Sequence, residues 1–233
     1  MSAERVNIPS KAMKVGEAQY REAIELMKQR PERMGLMSGW SWHDDPKRLV
    51  FFLSRYKFVA KMLAGSEHVL EVGCGDGFGT RIVVQAVKRV TAVDFDPEFV
   101  ASAKEIMSER WPFTCAAHDI LEGPVSGEFD AVFALDLLEH IAPEQEQRFL
   151  TNMIAPLLPH GTAILGSPSL QSQAYASAHS RAGHVNSKDQ GDLQRMMQRY
   201  FHTVFVFSMN DEVVHTGFHG LSHYNFCLGC GKK

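Results

Sequence analysis

The sequence predicts an α/β fold, a doubly wound parallel sheet with helices on both faces. Three observations predict it. Short apolar runs alternate with helix-length amphipathic segments from Val69 onward, the pattern of strands buried on both sides. The first run, Val69-Leu70-Glu71-Val72, ends in Gly73, Gly75, Gly77 and Gly79, glycine at every second position. The second run, Val90-Thr91-Ala92-Val93, ends in a carboxylate, Asp94. A strand, a glycine-lined turn and a helix N-terminus make a nucleotide cradle, because glycine admits positive φ and lets a ligand lie against the backbone.

In chain order, Lys11 to Arg30 reads as a loose amphipathic helix carrying Met13, Ala18, Ile24 and Met27. Met34 to His43 has no period but holds Trp40 and Trp42. Asp44-Asp45-Pro46 starts a helix from Lys47 to Ala64, stopped by Gly65. The glycine turn leads into a helix expected over Phe78 to Val87, and Asp96-Pro97 caps the next, running to about Arg110. Phe113 to Ala116 is a third strand and Phe129 to Leu135 a fourth. Pro143 to Leu158 is expected to be helical, Thr162 to Gly166 a fifth strand, and Ser167 to Lys188 a long irregular connection of the kind that carries function. Ser187 with Gln190 reads as a capping box for a helix to Tyr200. Thr203 to Ser208 and Tyr224 to Leu228 close the sheet. Two units are expected: 1–46, a helical extension, and 47–233, the main domain.

The nucleotide is decided by spacing. A dinucleotide fingerprint needs Gly-x-Gly-x-x-Gly, and from Gly73 or Gly75 the third position falls on Phe78 or Thr80. Glu71-x-Gly73-x-Gly75-x-Gly77 instead resembles the first motif of the class I S-adenosylmethionine-dependent methyltransferases. The rest of the family's pattern follows in order: Asp94 in the position that accepts the ribose hydroxyls, Asp119 and Ile120 at the adenine, and Leu135 at the end of the fourth strand. The resemblance implies S-adenosylmethionine as cofactor. It also implies a Rossmann-like seven-stranded sheet, mostly parallel with an antiparallel last strand, under an N-terminal helical lid. Cys74 and Phe95 join the cofactor set by their places beside Gly73 and Asp94. Arg55-Tyr56-x-Phe58 before the glycine strand resembles methyltransferases of glycan and sugar biosynthesis, where the arginine approaches the methionine carboxylate.

Asp136-x-x-Glu139-His140 carries the chemistry. On a helical turn, positions three and four apart share a face, so carboxylates and an imidazole converge past the fourth strand. The element is similar to the acidic-x-x-Glu-His element of ubiquinone-pathway and small-RNA terminal 2′-O-methyltransferases. There Glu-His and a later histidine bind a divalent cation. Glu139, His140 and His184 match that set, implying Mg2+ or Mn2+. Without a metal, His140 is the candidate base and Asp136 a group at the cofactor's methionine portion. His215, His219 and His223 are secondary candidates.

Composition narrows the partners. With 24 Lys+Arg against 27 Asp+Glu, the net charge of −3 offers no basic surface for nucleic acid or anionic lipid. No apolar run reaches the ~18 residues of a membrane span. Four cysteines, one inside the glycine loop, fit a reducing, cytoplasmic setting. Cys227-x-x-Cys230 alone is a poor zinc site, and Cys227 reads as a core residue. The expectation is an O-methyltransferase for a small hydroxylated acceptor, such as a sugar, nucleotide-sugar or related metabolite. Sugar N-methylation, RNA 2′-O-methylation and a non-catalytic cofactor-binding subunit are the alternatives. Oligomeric state stays open, a homodimer being one option.

Overall fold

The computed structural model describes residues 18–233. They fall into two compact units divided between Arg33 and Met34. The first unit holds helix α1 (Ala18–Gln29). Positions 11–17 of the helix expected there lie outside the described residues. All further elements belong to the second unit, which therefore begins ahead of the boundary expected at residue 47.

That unit contains α2 (Leu36–Asp44), α3 (Pro46–Met62), β1 (Val69–Val72), α4 (Thr80–Val84), β2 (Val90–Asp94), α5 (Pro97–Glu105), β3 (Thr114–Ala117) and β4 (Phe129–Leu135). It continues through α6 (Glu146–Ile154), β5 (Leu157–Pro168), α7 (Ala178–Gly183), α8 (Gln190–Gln198), β6 (Phe201–Asn210), β7 (Val213–His215) and β8 (Tyr224–Lys232). The strands form one sheet in the order β3-β2-β1-β4-β5-β8-β6-β7. β1 to β5 are parallel, while β8 runs antiparallel to both β5 and β6. All seven expected strands are present, and β7 is an eighth, a short hairpin partner of β6 turned at Asp211 (φ 50°).

Successive residues of β1 serve opposite cores, which is why its pattern is uninterrupted rather than alternating. Val69 joins Val59, Phe133 and Ile164 under α3 to α5. Leu70 joins Val132, Phe149 and Leu165 on the side of α6 and α8. From β1 the chain winds outward to β2 and β3, then returns to β4 on the other flank. The crevice beyond β1 and β4 is thus the topological switch point where such sheets bind ligands.

Four local expectations are corrected. The aperiodic stretch is helix α2, held by a carboxylate distant in sequence (below). The helix after the glycine turn shrinks to α4, because Gly77 (φ 67°) and its neighbours remain in the loop. Leu157 pairs with Phe129 and so begins β5 instead of ending α6. Asp189, not Ser187, caps α8, its side chain accepting from the Asp192 N–H. Among the described residues no helix is long and apolar enough to cross a membrane. All four cysteines are free thiols, and Cys227 is a fully buried core residue.

Candidate active site

The cradle is built by hydrogen bonds from β2 to the glycine loop. Val93 O accepts from the N–H groups of Gly73 (2.8 Å) and Cys74 (3.1 Å). Asp94 Oδ2 accepts from Gly75 N (2.8 Å) and Oδ1 from Asp96 N (3.0 Å), so the acid expected at the ribose also anchors the loop. Gly75 sits at φ 54°, and a Cβ there would come within 3.0 Å of Met37 Cε. Two adjoining cavities open over this loop, of about 390 and 290 Å³. Both are lined by Gly73, Asp94, Phe95, Leu137 and His140. The larger adds Arg55, Leu135, Asp136 and residues of α2, and the smaller adds Asp119 and Ile120. Asp94, where the ribose is expected, thus lies at both cavities, and Asp119 and Ile120, expected at the adenine, line the smaller one.

Three residues of the expected cofactor set line neither cavity: Glu71, Cys74 and Gly77. Glu71 is buried beneath the loop, accepting from Tyr56 OH (2.7 Å) on α3 and from Thr80 Oγ1 (2.6 Å) on α4. Burial raises its carboxyl pKa from 4.5 to about 7 against the pull of those two hydroxyls. Its role is to hold the walls of the cradle together. Cys74 is also buried, its Sγ 4.0 Å from Cys115 Sγ.

Asp76 is a site residue the sequence did not disclose. Its buried Oδ2 accepts from Ser38 N (2.7 Å) and Ser38 Oγ (2.8 Å), capping α2 from the glycine loop. A Cβ on Gly35 would lie 2.5 Å from that oxygen, so glycine is required at the helix entry. Seated this way, α2 turns Met37, Ser38 and Ser41 to the larger cavity. Trp40 and Trp42 point elsewhere, 63% and 55% exposed.

Arg55 and Asp136 form a half-buried ion pair at the floor of the larger cavity. Arg55 Nη1 donates to both carboxylate oxygens at 2.6 Å, and its guanidinium lies 4.0 Å from the centroid of the Tyr224 ring. Asp136 adopts φ 52°, a strained conformation outside glycine that marks the end of β4. Arg55 is therefore in place at the cavity expected for the methionine carboxylate. Asp136 is committed to it and does not belong to the ligand group that follows.

Among the described residues, Glu139, His140 and His184 bring one ligand atom each within 4.8 Å of one another. Glu139 and His140 stand on a 3₁₀ turn, Leu138–His140, directly after β4. His184 follows α7, and its neighbour Asn186 donates through its backbone N–H to Glu139 O (3.0 Å). The rings of His140 and His184 are 5.1 Å apart. His140 Nδ1 meets the Gly183 carbonyl at 3.0 Å, so that nitrogen carries a proton and, in the neutral ring, Nε2 keeps its lone pair. His184 Nδ1 meets Gln173 Oε1 at 2.8 Å with the same consequence. Burial, then the nearby His140, lowers the His184 pKa. Glu139 is 1% exposed, and its Oε2 has no hydrogen-bond partner among the described residues. Burial, reinforced by the Asp136 charge, pushes its pKa well above the carboxylate range. A buried carboxyl with an orphan oxygen and two imidazoles, converging within 4.8 Å, are residue types that fit a divalent cation. His215, His219 and His223 line neither cavity.

Comparison with known proteins agrees with this fold. Residues 69–161 match the family model described as a methyltransferase domain. The mitochondrial ubiquinone biosynthesis O-methyltransferase of Schizosaccharomyces pombe is 28% identical over 142 residues, covering 56% of this chain and 50% of that one. The ubiquinone biosynthesis O-methyltransferase of Xanthomonas campestris is 29% identical over 150 residues, covering 61% and 62%. The matches thus span about half to three-fifths of these relatives' length. Among solved structures, N-methyltransferase NodS from Bradyrhizobium japonicum with S-adenosyl-L-homocysteine superposes with a TM-score of 0.64 at 19% identity, over 90% of this chain and 97% of that one. The methyltransferase domain of bacterial CtHen1 gives 0.64 at 16% identity, over 78% and 99%. The fold is that of these methyltransferases, and residues 69–161 carry the sequence pattern of a methyltransferase domain, whose cofactor is S-adenosylmethionine.

Proposed function

We propose that the protein transfers the methyl group of S-adenosylmethionine to an oxygen of a small hydroxylated acceptor, assisted by a divalent cation. The observation that carries this reading is the convergence of Glu139, His140 and His184 beside the cavity shared by both lobes. The names of the ubiquinone-pathway relatives support oxygen as the accepting atom. Met37, Leu49, Phe52 and Phe99 give the larger cavity an apolar wall. The acceptor we propose therefore presents an apolar face next to its hydroxyls, as a sugar ring or related metabolite does. The free thiols fit action in a reducing, cytoplasmic compartment.

Bound S-adenosylmethionine supplies an electrophilic methyl group, and the chain supplies alignment. Asp94 accepts the ribose hydroxyls while holding Gly75, fixing cofactor and loop in one register. Arg55, kept in place by Asp136 and Tyr224, faces the methionine carboxylate. Mg2+ or Mn2+ held by Glu139, His140 and His184 would lower the pKa of an acceptor hydroxyl and orient its neighbour. A second reading rests on His140 alone. It lines both cavities, and its Nδ1 contact with the Gly183 carbonyl leaves Nε2 of the neutral ring free to act as a general base.

Turnover with a panel of hydroxylated and amino acceptors, followed by mass spectrometry of the product, tests the transfer. EDTA should abolish activity and Mn2+ restore it. Full activity in EDTA, with loss only in His140→Ala, would select the second reading. A product methylated on nitrogen would reject O-transfer.

A further inference from the structure

Gln173 touches neither cavity, yet its position determines what His184 can do. It lies in the 3₁₀ turn Gln171–Tyr175, within the long connection after β5. Its Nε2 donates to Ser169 O at 3.2 Å. A carbonyl only accepts, so the amide end facing it must be the NH2 group. The other end is then fixed: Oε1 faces His184 Nδ1 at 2.8 Å. An amide oxygen also only accepts, so His184 carries its proton on Nδ1 and offers Nε2. Each polarity in this relay is set by the one before it.

The relay begins at a rigid point. Ser169 is fully buried, its N–H donating to His223 O (2.9 Å) and its Oγ–H to Ser222 O (2.6 Å), both just ahead of β8. The Ser169 carbonyl also accepts from Ser172 Oγ at 2.8 Å, which holds the 3₁₀ turn against it. The His184 ring is thus oriented from the sheet through Ser169 and Gln173. His140 is oriented from the same connection by the Gly183 carbonyl (3.0 Å).

We propose that Gln173 is a positioning residue that holds His184 in its Nδ1-protonated tautomer and so presents Nε2 as a metal ligand. The metal part rests on the cation reading above; the tautomer part does not. Neutral histidine left to itself favours a proton on Nε2, which would block that nitrogen. Outer partners of this kind are worth roughly 10- to 100-fold in metal affinity.

The test uses the full chain labelled with 15N. Imidazole spectra above the histidine titration range should show wild-type His184 protonated at Nδ1. Gln173→Leu should shift it to a mixture or to the Nε2–H form, and Gln173→Glu, which keeps an acceptor there, should retain the wild-type form. Mn2+ titration should give binding weakened roughly 10- to 100-fold in Gln173→Leu, with S-adenosylhomocysteine affinity unchanged. An Nε2–H tautomer in the wild type, or no change in Gln173→Leu, overturns the proposal. A tautomer switch with unchanged Mn2+ affinity overturns the link to metal. A switch in a wild type that binds no Mn2+ supports the positioning role and rejects the cation reading.

Discussion

Removing the Asp76 carboxylate should free helix α2 from the glycine loop while leaving the sheet intact. Asp76 Oδ2 takes two donors from Ser38, N–H at 2.7 Å and O–H at 2.8 Å, and Ser38 is 3% exposed. Hydrogen bonds to a charged acceptor contribute roughly 1.5–3 kcal/mol each, but α2 can open to water and satisfy its donors there. Asp76→Ala should therefore lower the free energy of α2 opening by about 3 kcal/mol, a rise of about 100-fold in the open population. Hydrogen exchange read by mass spectrometry separates the two elements. Amides of Leu36–Asp44 should exchange faster by about that factor, and those of Phe129–Leu135 should hold their protection. Gly35→Ala, whose Cβ would sit 2.5 Å from the same oxygen, should give the same pattern with the carboxylate still present. Unchanged protection in α2 would refute the cap, and an equal loss in β4 would assign Asp76 to the whole fold.

Glu71, Asp94 and His140 make separable predictions. The folded Glu71 carboxyl holds its proton up to about pH 7 whereas the unfolded one loses it near 4.5, so its favourable contribution is complete below 4.5 and lost as pH rises to about 7. That difference amounts to about 3 kcal/mol; Glu71→Gln should flatten this part of the pH–stability curve in urea unfolding, and an unaltered slope would contradict it. Asp94→Ala loses the ribose acceptor together with the Gly75 tie, so calorimetry should show S-adenosylhomocysteine binding weakened about 10- to 100-fold; unchanged affinity would reject the assignment. His140→Ala should lower turnover by roughly 10²- to 10⁴-fold with a much smaller change in cofactor affinity; equal losses would make it structural.

The residues that the sequence placed together and that do line the cavities were legible because they are local. Gly73, Gly75 and Asp94 end adjacent strands, so spacing alone carries their geometry, and Asp119 with Ile120 follows the next strand. Glu139 and His140 are neighbours on one turn, and His184 joined them through a family resemblance rather than any spacing of its own. What stayed hidden depends on contacts between distant residues. Ser38 and Asp76 are 38 positions apart, and without that cap residues 34–43 show no helical period. The Gln173 relay exists only once the long connection is folded back on Ser169. Glu71 has the motif's sequence position, yet Tyr56 and Thr80 occupy both its oxygens below the cradle. Trp40 and Trp42 stay off the cavity for a physical reason: a helix docked by Ser38 presents Met37 and Ser41 to it and leaves both indoles outside.

The most direct measurement is a co-crystal structure with S-adenosylhomocysteine and Mn2+, recorded so that manganese gives an anomalous signal. The account predicts the ribose hydroxyls on Asp94 and an anomalous peak among Glu139, His140 and His184. A bound cofactor with no peak at those three residues would contradict the cation-assisted transfer proposed for this site.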